Sequence, residues 1–265
     1  MGGRFLTEER IIAFSKGGAD SAVRGNLVAK IAGLAIAIAI SVAFYQTLRI
    51  TSAIVPDLSF IRDAYPHPRG ALAASVSRTL LGMFVYVLLL TALVKLTPLN
   101  RAFAEMWRAA PARGWPPAAI TTAIQITVIL FLVLGGAAPV FEASLFNLHV
   151  SMVTALGGGV FEEIVHRGAI ILTLAYAGFS RLSAIIISAF LFASNHVGWV
   201  DFSTLDFTTA MQMLSPLWGT FFLGLAFGFT FTESRCRIWP VIAAHSLINL
   251  VIEPWLALAF VGPRL

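Results

Sequence analysis

Charge is what this sequence has least of. Only 12% of its 265 residues are Asp, Glu, Lys or Arg, against about 25% in an ordinary soluble domain. Lysine is almost missing, with three Lys beside fifteen Arg. Cysteine is almost missing too, and the single Cys236 excludes an intramolecular disulfide framework. No low-complexity tract or internal repeat is visible. The N-terminus is not shaped as a secretory signal, because the first long apolar run begins near Leu27 and is long enough to span a bilayer. Gly2 is not in a myristoylation context, since residue 6 is Leu.

What is present is apolar. Hydrophobic residues make up 58% of the chain, and they collect in runs of about 20, the length that crosses a bilayer as a helix. The runs predict spans at about 27–47, 76–97, 119–141, 150–177, 182–199, 214–232 and 238–261. An open sheet cannot satisfy its backbone in lipid, so the expected fold is all-α, a polytopic bundle of about seven spans. Residues 1–26 read as a cytoplasmic or interfacial amphipathic segment and residues 27–262 as the bundle. Segment 48–75, with Pro56, Pro66 and Pro68, reads as a surface or re-entrant loop. Segment 98–118, with Arg101, Arg108, Arg113, Pro111, Pro116 and Pro117, reads as a basic connection.

A formal charge of +5 would suggest nucleic acid in a soluble protein. Here the positive residues flank apolar runs, so topology and lipid headgroups account for them and no nucleic-acid partner is expected. With the N-terminus cytoplasmic, that side holds most of the Arg and Lys, which obeys the positive-inside rule. The Arg-over-Lys preference suggests a bacterial source, and hence a bacterial inner membrane.

An ionised side chain at mid-membrane costs about 2.5–3.5 kcal/mol on insertion scales, so it marks function by default. Such residues fall on the fourth, fifth and seventh spans only: Glu162, Glu163, His166, Arg167, His196, His245 and Glu253. The site is therefore expected between those spans. Residues four apart share a helix face, so Glu163 and Arg167 can pair. Glu162 points elsewhere and can face a cavity, with His166 one turn away. A carboxylate in apolar surroundings suits a general base for water. Gly157, Gly158 and Gly159 just before it would admit a neighbouring helix or a substrate backbone. His245 and Asn249 also share a face and could donate two hydrogen bonds to one oxygen, the requirement for an oxyanion hole. Against these stand structural readings: an ion-pair knot for Glu163 and Arg167, helix packing for Gly224 and Gly228, interhelical hydrogen bonds for Ser194 and Asn195, and an interfacial position for Glu253.

Three motifs then stand in order on separate apolar helices. Glu162-Glu163-Ile-Val-His-Arg167 fits EExxxR, Phe192-Ala-Ser-Asn-His196 fits FxxxH, and His245-Ser-Leu-Ile-Asn249 fits HxxxN. Together they resemble the CPBP family of CAAX proteases and bacteriocin-processing (Abi) membrane proteins, which includes the type II CAAX prenyl endopeptidases. The likeness covers about residues 120–255. It implies an intramembrane endopeptidase in which Glu162 and His196 activate water, His245 and Asn249 hold the oxyanion, and Glu163 and Arg167 support the site. Its substrate would be a membrane-associated protein or peptide, prenylated ones included.

Rival chemistries fit worse. There is no HExxH for a zinc protease, no GxSG for a serine nucleophile and no GxGD aspartyl pair. A zinc-dependent version would use Glu162, His196 and His245 as ligands. The metal-free glutamate mechanism, with no cofactor, is preferred because Asn249 beside His245 serves better as a donor than as a ligand. The remaining alternatives are a non-catalytic immunity or partner-binding member and, less well supported, a proton- or substrate-carrying transporter, for which no inverted repeat is visible.

Overall fold

The computed structural model describes residue 14 and residues 26–134, 144–197 and 207–261. The expected amphipathic segment 1–26 thus lies almost wholly outside the described residues. Among the described residues all regular structure is helical. The helices are α1 Leu27–Ile54, α2 Ser59–Arg62, α3 Arg69–Lys95, α4 Asn100–Glu105, α5 Trp115–Leu134, α6 Leu145–Tyr176, α7 Arg181–Val197, α8 Phe207–Glu233 and α9 Trp239–Val261.

Seven of these, α1, α3 and α5–α9, fall on the seven expected apolar runs. Three of them, α1, α3 and α6, are long and apolar enough by length and composition to cross a membrane. The helix ends follow local chemistry. Asn26 caps α1, its side chain accepting from the Ala29 amide at 2.8 Å. The helix then runs to Ile54, seven residues past the expected end at 47, because nothing breaks it before Val55, which is extended ahead of Pro56. Only 55–68 is left of the expected loop 48–75, and it contains α2. The basic connection 98–118 likewise holds α4 and a short 3₁₀ turn, Ala112–Gly114. Trp115-Pro116-Pro117 opens α5, where the missing amides of proline cost no helix bond. Ser144 caps α6 by accepting from the Asn147 amide at 3.2 Å.

Helix α6 is the centre of the arrangement and packs against α1, α3, α7, α8 and α9. Its middle turn is buried on all sides, from Glu163 to Leu174. Helices α7 and α8 pack closely together. A Cβ on Gly224 would lie 3.0 Å from Ala189 Cα, and one on Gly228 would lie 2.9 Å from Ile185 Cγ2. The small residues of α8 thus serve helix packing, as their spacing suggests.

One end of the bundle is tied by a polar seam. Arg237 reaches the carboxylate and main-chain carbonyl of Glu105, and Arg108 pairs with the same carboxylate at 2.8 Å. Ile238 donates its amide to the Met106 carbonyl, and Trp239 its indole N–H to the Trp107 carbonyl. Arg181 pairs with Glu233 at 2.6 Å. The basic connection is therefore docked on the α8–α9 turn, which contains Arg235 and Cys236, both at positive φ.

Candidate active site

Helix α6 departs from α-geometry where the motif lies. Gly157–Glu162 and Ile164–Ile171 are wound as π-helix, with hydrogen bonds five residues apart. Such stretches are rare and frequently lie at functional sites. The glycine run explains how the wide turn is accommodated, because it lets α9 and α3 lie almost on the backbone. A Cβ on Gly159 would fall 2.0 Å from Ser246 Oγ, and one on Gly157 would fall 2.9 Å from Met83 Sδ. A neighbouring helix therefore uses the glycines, one of the two uses their sequence suggested.

Glu163 and Arg167 are both fully buried, with Nε and Oε2 3.2 Å apart as an ion pair within α6. The other carboxylate oxygen, Oε1, lies 2.7 Å from His245 Nδ1 on α9. Arg167 Nη2 donates to the Gly224 carbonyl on α8 at 3.3 Å. Its guanidinium also lies over the rings of Phe192 and Phe227, at 4.6 and 5.3 Å. One ion pair on α6 is thus fastened to α7, α8 and α9. A lone charge in such a place would be strongly destabilising, and the pairing offsets part of that cost.

His245 is held from two sides. Nδ1 faces Glu163, and Phe227 lies against the ring at 4.7 Å. That leaves Nε2 as the nitrogen directed at the site. Nε2 donates when the ring carries both protons and accepts when it carries only the Nδ1 proton. Asn249, one turn on, gives one amide hydrogen to the Thr154 carbonyl at 3.0 Å and retains a second. Both side chains converge on Gly158. A Cβ there would sit 2.4 Å from Asn249 Nδ2 and 3.3 Å from His245 Nε2.

Phe192 of α7 is the hub between the histidines. Its ring meets those of His196, His166 and His245 at 4.6, 5.2 and 6.1 Å. His196 is half-buried and its Nδ1 bonds to the Phe192 carbonyl at 2.9 Å. With that carbonyl as acceptor, Nδ1 carries the proton and Nε2 is left with its lone pair. Glu162 is also half-buried, and no described residue donates a hydrogen bond to it. Its carboxylate is close enough for its charge to act on Arg167.

The six motif residues thus fall into two sets. Glu163, Arg167 and His245 are linked by direct contacts, and Asn249 joins them at Gly158. Glu162 and His196 keep partial exposure. Glu253 lies on α9, but its side chain is outside the described residues. Among the described residues no three His, Cys, Asp or Glu side chains gather closely enough to hold a metal ion.

Some participants were not evident as functional residues. Phe192 is visible only as the first letter of FxxxH. Asn195 bonds across helices, with Nδ2 3.4 Å from His166 Nε2 and Oδ1 accepting from Ser41 of α1 at 3.3 Å. Ser194 instead bonds within α7, to the Leu191 carbonyl. A further histidine, His149, lies elsewhere on α6 between Tyr65 and Ser77. Nothing in its sequence context marks it.

Residues 124–251 match the family model described as "Type II CAAX prenyl endopeptidase Rce1-like". The match takes in all three motifs. No curated protein and no solved structure matches the chain.

Proposed function

We propose, from the match of residues 124–251 to the type II CAAX prenyl endopeptidase model, that this integral membrane protein is an endopeptidase of the CPBP type using a glutamate-activated water. The bond it cuts lies in a membrane-associated protein or peptide. One observation carries the reading: His245 Nε2 and Asn249 Nδ2 converge on Gly158, one turn of α6 before Glu162. Two donors aimed at one point are what a tetrahedral oxyanion requires.

The chemistry follows from that arrangement. Glu162, with His196 Nε2 as a second acceptor, orients a water molecule and takes one of its protons. The water oxygen attacks the scissile carbonyl carbon, and the carbonyl π-electrons move onto oxygen. His245 Nε2–H and the free amide hydrogen of Asn249 hold that oxyanion. This assigns His245 the doubly protonated ring, with Nδ1–H on the Glu163 carboxylate and Nε2–H on the substrate. Collapse re-forms the carbonyl and breaks the C–N bond. The departing nitrogen takes the proton from Glu162. Glu163 and Arg167 act through His245 as positioning residues. No step calls on a metal, and the glutamate mechanism is preferred to the zinc version.

The wider setting belongs to the same reading. The chain forms about seven spans, with the site between the fourth, fifth and seventh, in a bacterial inner membrane with the N-terminus cytoplasmic. The CPBP-like core is about residues 120–255. The substrate is prenylated near its C-terminus.

The test is cleavage by the purified full chain in detergent or nanodiscs. Prenylated and unprenylated forms of one C-terminal peptide are compared by mass spectrometry of the new C-terminus. Cleavage favouring the prenylated peptide is expected. Cleavage of both alike would keep the peptidase and remove the prenyl preference. Cleavage of neither, together with undiminished binding of both, would favour a non-catalytic partner-binding protein.

A further inference from the structure

We infer that Ser41, Asn195 and His166 form a buried polar anchor that positions His196 opposite Glu162. The inference rests on the peptidase reading for its functional half only. His196 needs such an anchor. Among the described residues its one hydrogen bond is to the Phe192 carbonyl, within its own helix. That bond orients the ring relative to α7 but does not fix α7 relative to α6. The histidine also stands in the last described turn of α7.

The neighbouring residue supplies the tie. Asn195 accepts from Ser41 Oγ of α1 and lies 3.4 Å from His166 Nε2 of α6. The two ends of the chain of contacts are closed off, with Ser41 2% and His166 1% exposed, and Asn195 between them is half-buried. His166 is fixed in turn. Its ring stands edge-on to Phe44 of α1 and Phe192 of α7, and its carbonyl accepts from Ser188 Oγ of α7 at 2.9 Å. The three residues therefore lock α1, α6 and α7 together one residue before His196 and four residues after Glu162. The pairing also works with the amide turned over. Either the amide N–H₂ faces His166 and the carbonyl faces Ser41, or the reverse, provided the imidazole shifts its proton to match. The contacts of Asn195 with Ser41 and His166 can be made in both arrangements, while His166 Nδ1 is buried without a hydrogen-bond partner among the described residues.

Replacing one member with an apolar residue leaves another buried and unpaired, which is costly. Asn195→Leu, Ser41→Ala and His166→Phe are each compared with wild type in the same detergent by hydrogen exchange and, where the chain cleaves, by kinetics. In Asn195→Leu, amide protection at 193–197 is expected to fall about tenfold or more, with little change in the first turns of α7. The same variant is expected to lose about 10- to 100-fold in kcat, the scale of a misplaced catalytic group, while KM changes little. The double variant Asn195→Leu/His166→Phe removes both ends of the contact. Its melting temperature should recover part of what the single variants lose, while kcat stays low. Unchanged protection at 193–197 would overturn the anchor. So would lost protection with full kcat, or a kcat that recovers together with stability in the double variant. A wild type that cleaves nothing would instead overturn the peptidase reading, and the exchange comparison would still decide the anchor.

Discussion

Gly158 stands where α6 meets the two donor side chains of α9, and there a single methyl group tests the site. Gly158→Ala puts a carbon where Asn249 Nδ2 and His245 Nε2 now converge, at 2.4 and 3.3 Å. The amide is the flexible end and must move. Loss of one oxyanion donor costs about 10²–10³ in kcat, so a drop of that size is expected in a protein that still folds. KM and far-ultraviolet dichroism should change little. The Glu163–Arg167 pair behaves differently, because its members are completely buried. Arg167→Met strands the carboxylate and is expected to destabilise the fold by about 3–5 kcal/mol, read as a loss of thermal stability in detergent. The pair could be foreseen from four-residue spacing on an apolar helix. Its clasp on His245 could not, because residues 163 and 245 are far apart in the chain and no periodicity connects them.

At the scale of elements, the long helices were legible because lipid-length apolar runs have few alternatives. Their ends were less so. Helix α1 overruns its expected end because the polar residues at 48–54 contain no breaker before Pro56. The connection 98–118 looked like loop because prolines and arginines dominate it, yet α4 folds there by docking on the α8–α9 turn. The π-winding of α6 was not legible at all. The three glycines announced a close approach, but not the wider turn of the helix. The polar seam at α4 has its own test. Cys236 sits beneath it in the α8–α9 turn, where burial pushes the thiol up to about 12 against the opposing pull of Arg237 and Arg181. A maleimide at pH 7.5 is expected to leave Cys236 unmodified in the folded protein and to label it fully after denaturation. Arg237→Ala, which unties α4 from the turn, should make labelling measurable without denaturant. Labelling of the folded wild type at the rate of a free thiol would refute the seam.

For the whole molecule, the apolar composition carried the membrane class, and the three ordered motifs carried the likeness to the CAAX prenyl endopeptidases. The roles proposed for Glu162, His196, His245 and Asn249 start from α6, α7 and α9, which bring His245 Nε2 and Asn249 Nδ2 together at Gly158 and leave Glu162 and His196 half-exposed. A glutamate mechanism needs no ion, so exhaustive treatment with a chelator is expected to leave the cleavage rate within about twofold of the untreated enzyme, since a lost catalytic ion would cost far more. Loss of activity on chelation, restored by added zinc, would transfer the water to a metal. The most direct measurement compares single-turnover cleavage by wild type and Glu162→Gln, two proteins of equal shape that differ in one ionisable oxygen. General-base catalysis contributes about 10²–10⁴. The account requires a loss of at least that order, with substrate binding and melting temperature unchanged. Cleavage by Glu162→Gln at the wild-type rate would contradict it.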